Sequence, residues 1–128
     1  MIMATSANQT RYHPHVELQE TGRLHCAIHL LALAAEILES LAKTKGNAVL
    51  VLADQLKRAA LSVPLNLAEG AGKSTPADQT KHYVISRGSA MECAAILDAA
   101  VVLKLIDKAT AERGEQLVTR IVEMLIGP

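Results

Sequence analysis

The sequence predicts an all-α protein, an antiparallel up-down bundle of four helices. Half of the 128 residues are apolar, but only Tyr12 and Tyr83 are aromatic. The many Leu and Ala residues favour helices, because strands prefer β-branched and aromatic side chains. Apolar residues recur at helical spacing in four long segments separated by short breaks. Short connections place consecutive helices antiparallel, and the length fits one domain.

The chain divides into a short tail and the bundle. Residues 1–15 have no period and are predicted to be an N-terminal tail, in which no role is assigned to His13 or His15. Residues 16–128 are predicted to form the bundle. Its first helix covers about 16–45 and is followed by a Gly-Asn pair that favours a helix stop.

The other three helices follow in order. The second is predicted over about 48–71, the third over 76–106 and the fourth over 111–126. Thr75 and Pro76 give the third helix a clear start, since Thr caps helices and Pro suits the first helical position.

The centre of the chain is unusual for a helix. Pro64 stands inside the second helix and should bend it, because proline removes a backbone hydrogen bond and clashes with the preceding turn. Gly70 and Gly72 are predicted to stop the helix. Polar residues at steps of three and four form a stripe on this helix, and His82, Ser86 and Ser89 lie on one line of the next helix. Such buried polar groups require partners.

We therefore predict a structural polar network across the second and third helices, which fixes the register of the bundle. Its predicted members are Arg58, Ser62, Asn66, Glu69, Arg87, Ser89 and Glu92. Glu69 is expected to satisfy buried donors, so that Glu69→Ala damages folding or assembly. Gly88 is expected to let a neighbouring helix approach closely.

More apolar residues are present than a lone bundle can bury. Residues 27–35 are apolar on every side except at His29. Residues 93–106, which end just before the break at Asp107, carry only Asp98 and Lys104 as charged residues. A lone bundle needs about three apolar positions in seven. The surplus predicts a homo-oligomer.

The central stretch also resembles a known family. The residues that carry the resemblance are 62–70 (SVPLNLAEG), preceded by Gln55, Leu56 and Ala59, and followed by Lys73 and 88–92 (GSAME). They are similar to the small bacterial four-helix-bundle proteins encoded in intervening sequences of 23S rRNA genes. The chain also resembles the accessory variability determinant of diversity-generating retroelements.

The resemblance implies an antiparallel four-helix bundle assembled as a barrel-shaped homopentamer, with no established activity for most members. The retroelement branch implies binding to a reverse transcriptase and to nucleic acid through a basic surface. On this chain the residues that could make that contact are Lys57, Arg58, Lys73, Lys81 and Arg87. The chain departs from that branch in its zero net charge, its few aromatic residues and the lysine at position 73.

Other candidate sites lack required parts. The stretch 70–75 (GAGKST) resembles half of a phosphate-binding loop, but Leu67 replaces the first glycine and a helix replaces the preceding strand. His25 and His29 are spaced to face one metal ion, but no third ligand has matching spacing, so no metal site is predicted. The sequence shows no nucleophile paired with a general base, so no catalytic residue is predicted.

The remaining features predict no cofactor and no membrane segment. Cys26 and Cys93 are predicted to be reduced and buried, in a cytoplasmic protein without a signal peptide. The leading prediction is a non-enzymatic, self-assembling scaffold or adaptor. The alternative is an accessory protein that binds RNA or a reverse transcriptase.

Overall fold

The computed structural model of the protein describes the backbone of residues 16–126 and the side chains of residues 22–125. The predicted tail with His13 and His15 lies outside the described residues. Residues 16–126 contain no strand. Their four helices are α1 (Val16–Leu41), α2 (Asn47–Ala71), α3 (Pro76–Val102) and α4 (Lys108–Ile126).

The four helices pack as a bundle with a square cross-section. The packed pairs are α1 with α2, α2 with α3, α3 with α4, and α4 with α1. Between the diagonal helices α1 and α3, the Arg23 guanidinium lies over the Tyr83 ring. Contacts between late α2 residues and early α3 residues, such as Asn66 with His82, show that these two helices run antiparallel. The predicted four-helix bundle is confirmed.

Aliphatic side chains fill the core, because the chain has almost no aromatic residues. The largest fully buried apolar residues are Leu30, Leu41, Leu56, Leu67, Leu97 and Ile121. Burying a leucine side chain stabilises a fold by about 1.5–3 kcal/mol. Small alanines between them let the helices approach closely. Gly114 of α4 is also buried, and a Cβ atom there would overlap the Leu97 side chain.

The first helix ends earlier than predicted. α1 stops at Leu41 rather than near Lys45, and Lys43 and Thr44 donate to carbonyls three residues back, as in a tight final turn. Residues 42–46 are exposed, so no packing extends the helix. Gly46 has φ 131° and precedes α2, so it begins the second helix rather than ending the first.

The third helix ends in a backbone cap that the sequence did not indicate. α3 stops at Val102 rather than near Ile106. Lys104 adopts a left-handed conformation with φ 61°. Its backbone N–H donates to the carbonyl of Val101, and the N–H of Leu105 donates to the carbonyl of Ala100 at 2.8 Å. These two bonds form a Schellman motif, which satisfies carbonyls at the helix end.

The fourth helix starts three residues earlier than predicted. Asp107 caps α4, because its carboxylate accepts a hydrogen bond of 2.8 Å from the backbone N–H of Thr110. Hydrogen bonds from the side chain and then the backbone of Thr110 lower the pKa of Asp107. At the start of α3, Thr75 accepts from the N–H of Asp78, as the sequence predicted.

Candidate functional site

A polar seam joins α2 and α3. We define it as Ser62, Asn66, His82, Ser86 and Ser89. The hydroxyls of Ser62 and Ser89 lie 2.8 Å apart across the two helices. Asn66 donates to the Ser62 hydroxyl at 3.0 Å, and its side-chain oxygen lies 3.1 Å from Nδ1 of His82. Every link in this chain of bonds is partly buried, so it ties the two helices in one register.

Ser86 is the fully buried member of the polar seam. Its hydroxyl donates to the carbonyl of Val63 at 2.9 Å, one residue before Pro64. Among the described side chains, no buried polar atom lacks a hydrogen-bond partner. A fully satisfied cluster favours one packing arrangement over shifted ones.

The polar seam does not place a nucleophile beside a general base. His82 contacts Asn66 rather than either serine of the Ser62–Ser89 pair. A serine nucleophile requires a base within hydrogen-bond reach, so these side chains as placed supply structure rather than acid-base chemistry.

The structure brings together only part of the predicted network. Hydrogen bonds join the predicted members Ser62, Asn66 and Ser89. The predicted network did not include His82 and Ser86, although their spacing had placed them on the same line of the third helix as Ser89. Arg58 instead pairs with Asp54 at 2.8 Å on the exposed surface. Glu92 is exposed and Arg87 is half-buried, and among the described contacts neither joins the polar seam.

Glu69 was misplaced by the sequence analysis. Its side chain is exposed and lies 3.6 Å from Lys73, one turn along α2. Exposed pairs of this kind contribute about 0–1 kcal/mol. The damage expected from Glu69→Ala therefore does not follow from this structure.

The two predicted helix stops have different roles. Gly70 lies inside α2 and is buried, and a Cβ atom there would sit 2.7 Å from the Tyr83 ring. Gly72 caps the helix, and its N–H donates to carbonyls of the last turn. Pro64 is buried within α2, which continues to Ala71. Gly70 thus permits close helix contact, and only Gly72 marks the end.

The five candidate nucleic-acid contacts do not form an unneutralised basic patch. Arg58 and Lys73 are paired with carboxylates. Lys81 and Arg87 are six residues apart on α3, so they point in directions that differ by roughly 120°. Lys57 is exposed on α2.

The histidine and cysteine candidates are also placed. His25 and His29 are exposed, and their ring centroids lie 4.2 Å apart. Within the described residues, no group of three or more metal-ligating side chains occurs. Cys26 and Cys93 are buried free thiols. Burial, followed by the Glu92 charge, raises the pKa of Cys93 to about 12, so this thiol stays protonated.

A second feature is an uncharged surface on α3. We define the α3 face as Val84, Gly88, Met91, Ala95, Ala99 and Val102, which are all exposed. Their spacing of three or four residues puts them on one side of the helix. Met91 is 56% exposed and Val102 is 78% exposed. A Cβ atom at Gly88 would meet nothing within 4 Å, so no helix of this chain approaches it closely.

The outward side of α1 is uncharged as well. We define the α1 face as Ile28, Ala32 and Ala35, which are exposed between Arg23 and Glu36. In contrast, the exposed residues among the described side chains of α4 are polar or charged apart from Ala109; they are Lys108, Glu112, Arg113, Gln116, Thr119, Arg120 and Glu123. The surplus of apolar residues predicted from sequence therefore remains uncovered on α1 and α3 of a single chain, and also on α2, where Leu50, Val51, Leu61 and Leu65 are exposed.

An apolar groove extends the α3 face towards α2. It encloses about 460 Å³ and is lined chiefly by Val51 and Leu52 of α2 and by Ile96, Ala99 and Leu103 at the end of α3. Ala99 belongs to both the groove and the α3 face. The apolar surface is thus continuous across the two helices.

Comparison with known families agrees with this architecture. The profile of the 23S rRNA-intervening sequence protein family matches residues 24–127. The chain belongs to this family. The match to these intervening-sequence proteins spans the polar seam and both uncharged faces. None of the curated proteins compared with the chain matches it.

One segment of this family member has the length and composition of a membrane span. Gly22–Leu41 has a mean hydropathy of 1.5, whereas no membrane segment was predicted from the sequence. In the bundle, Leu30, Leu33 and Ile37 of this segment face the core. Buried core helices pass the same hydropathy test, so this finding is weak support for a membrane role.

Proposed function

We propose that the protein is a non-enzymatic scaffold or adaptor that works by assembling with copies of itself. The observation that carries this proposal is the α3 face, whose six exposed residues include no charged side chain. A continuous apolar surface on a small domain is typical of an interaction site. The zero net charge favours a protein partner over a nucleic acid.

The α1 face supplies the second contact surface. α1 and α3 occupy diagonally opposite corners of the bundle, since the backbone of each packs against α2 and α4 and not against the other. Two different faces on opposite corners favour head-to-tail contacts, in which the α1 face of one copy packs on the α3 face of the next. Such contacts close into a ring when the rotation between copies permits. The number of five copies comes from the family resemblance alone.

Mixing two face variants tests this arrangement. Ala32→Lys places a charge in the α1 face, and Ala95→Lys places one in the α3 face. Both positions are exposed, so each chain should still fold, but a charge buried without a partner costs several kcal/mol in an interface. Each variant alone should be monomeric by native mass spectrometry. Mixed in equal amounts, the two should form a dimer, because one intact face of each kind remains.

The outcomes separate the arrangements. If the faces instead pair like with like, each variant alone will dimerise through its intact face, and head-to-tail contact is excluded. If both variants keep the wild-type mass, these faces are not the interface. Gln116→Lys on the exposed side of α4 is the matched control and should leave the mass unchanged.

The alternative, an accessory protein of the retroelement type that binds RNA or a reverse transcriptase, has less support. It rests on the exposed Lys57 and Lys81, because Arg58 and Lys73 are paired with carboxylates. This alternative requires RNA binding that weakens steeply as salt rises. Absence of binding at low salt would remove it.

A further inference from the structure

The outward side of α1 carries a histidine pair in an otherwise apolar stretch. Between Arg23 and Glu36, His25 and His29 are the only residues with strongly polar side chains. Both are exposed, and within the described residues no hydrogen bond or ion pair engages either imidazole. Exposed helix positions are usually filled by Lys, Glu or Gln, which favour the helix more than His does. The pair therefore calls for an explanation besides solubility.

The spacing puts both imidazoles on one side of the helix. Four residues turn a helix by about 400°, so His25 and His29 differ in direction by only about 40° and lie one turn apart. Their ring centroids are 4.2 Å apart and the ring planes are tilted by 49°. The two rings are thus already neighbours, and each needs only side-chain rotation to turn one nitrogen towards a shared point.

We propose that His25 and His29 together chelate one divalent ion of the nickel, copper and zinc group. Imidazole nitrogen suits these metals, and nitrogen–metal distances of about 2.0–2.1 Å require two ligand nitrogens roughly 3 Å apart. Two histidines at this spacing on one helix face are a recognised chelating pair. Among the described side chains no third ligand reaches the pair, since Glu36 lies two turns further along α1 and approaches Arg113, so water fills the remaining coordination positions of the ion.

The site is complete within one helix, so the inference does not depend on assembly. The unfolded chain does not hold the two imidazoles together, and an ion that binds only the folded pair raises the melting temperature. The bound ion links two side chains one turn apart on α1, beside the α1 face.

Nickel titration of the full-length, metal-free protein tests the proposal. Calorimetry in the Ala95→Lys background, which leaves α1 intact, should show one Ni²⁺ bound per chain, with a rise in melting temperature that a chelator reverses. His25→Ala or His29→Ala should weaken binding at least tenfold. Replacing both His13 and His15 by Ala should leave the affinity within twofold, because those residues are outside the pair.

A spacing control separates chelation from histidine content. The double variant His29→Gln with Ala32→His keeps the number of histidines but places them seven residues apart, about two turns along the helix. It should bind Ni²⁺ as weakly as His29→Ala. Equal affinity of the spacing variant and the parent, or a change below twofold in the single variants, would overturn the proposal and leave only a pair of stacked rings.

Discussion

Replacing Gly70 by alanine should destabilise the protein, although alanine is the better helix former. The added Cβ would lie 2.7 Å from Cε1 of Tyr83, 2.9 Å from its Cδ1 and 3.1 Å from Cβ of His82. Moving the Tyr83 ring would disturb its contact with the Arg23 guanidinium, which lies over it at 5.0 Å from the ring centroid. The Cβ of His82 is fixed by the α3 backbone. Alanine at this position therefore pushes α2 and α3 apart.

The magnitude follows from two opposing effects. Overpacking a close contact costs about 1–3 kcal/mol. Alanine in place of glycine within a helix gains at most about 1 kcal/mol. The expected net loss for Gly70→Ala is therefore about 0–2 kcal/mol of unfolding free energy, with a central value of about 1 kcal/mol.

Gly72→Ala is the matched control, two residues further along. Gly72 has φ −84°, which alanine adopts without strain, and its Cβ would make only ordinary contacts at 3.6 Å. This variant should match the wild type or be more stable by less than about 1 kcal/mol. Urea unfolding followed by circular dichroism, at one protein concentration, measures both changes.

A double-mutant cycle assigns the cost to the ring. In a Tyr83→Ala background the clash with the ring is absent, so Gly70→Ala should cost at least about 1 kcal/mol less than in the wild type. Equal stability of Gly70→Ala and Gly72→Ala would refute the claim that close packing, rather than helix termination, requires glycine at position 70.

Three further predictions each concern one residue. Cys93 should resist thiol reagents at pH 8 in the folded protein, because its pKa is raised to about 12, and react only after unfolding; rapid labelling without unfolding would contradict its burial. Lys104→Gly should raise the unfolding free energy by about 1 kcal/mol, since glycine adopts the left-handed conformation at little cost; a loss would contradict the backbone cap. The hydrogen bond and charge of Asp98 raise the pKa of Glu115 above 4.5, so folding takes up protons and stability falls as pH rises through that pKa. Glu115→Gln should gain stability relative to the wild type over that interval, and a difference independent of pH would exclude this coupling.

The sequence predicted the helices well because helical spacing of apolar residues is a local signal. Thr75 and the break near residue 107 also act locally, and so they could be interpreted without a structure. The end of α3 was less accurate because it depends on longer-range contacts. The cap at Lys104 forms where Leu105 packs against the core. Lysine has no preference for the left-handed conformation, so its residue type did not predict the cap.

The polar network was predicted only in part because helical spacing does not separate its members. Ser62, Asn66 and Glu69 differ in direction by only about 20–60° on α2. Spacing alone therefore could not show that Asn66 bonds to His82 of α3 while Glu69 is exposed beside Lys73. The role of Gly70 was missed for another reason, since its partner Tyr83 lies on a different helix.

The central claim is that the uncharged α1 and α3 faces are covered by further copies of the chain. Native mass spectrometry of the wild-type protein at micromolar concentration tests it most directly. The account predicts one dominant species whose mass is a whole multiple, above one, of 13.6 kDa. A single species at 13.6 kDa under the same conditions would contradict it.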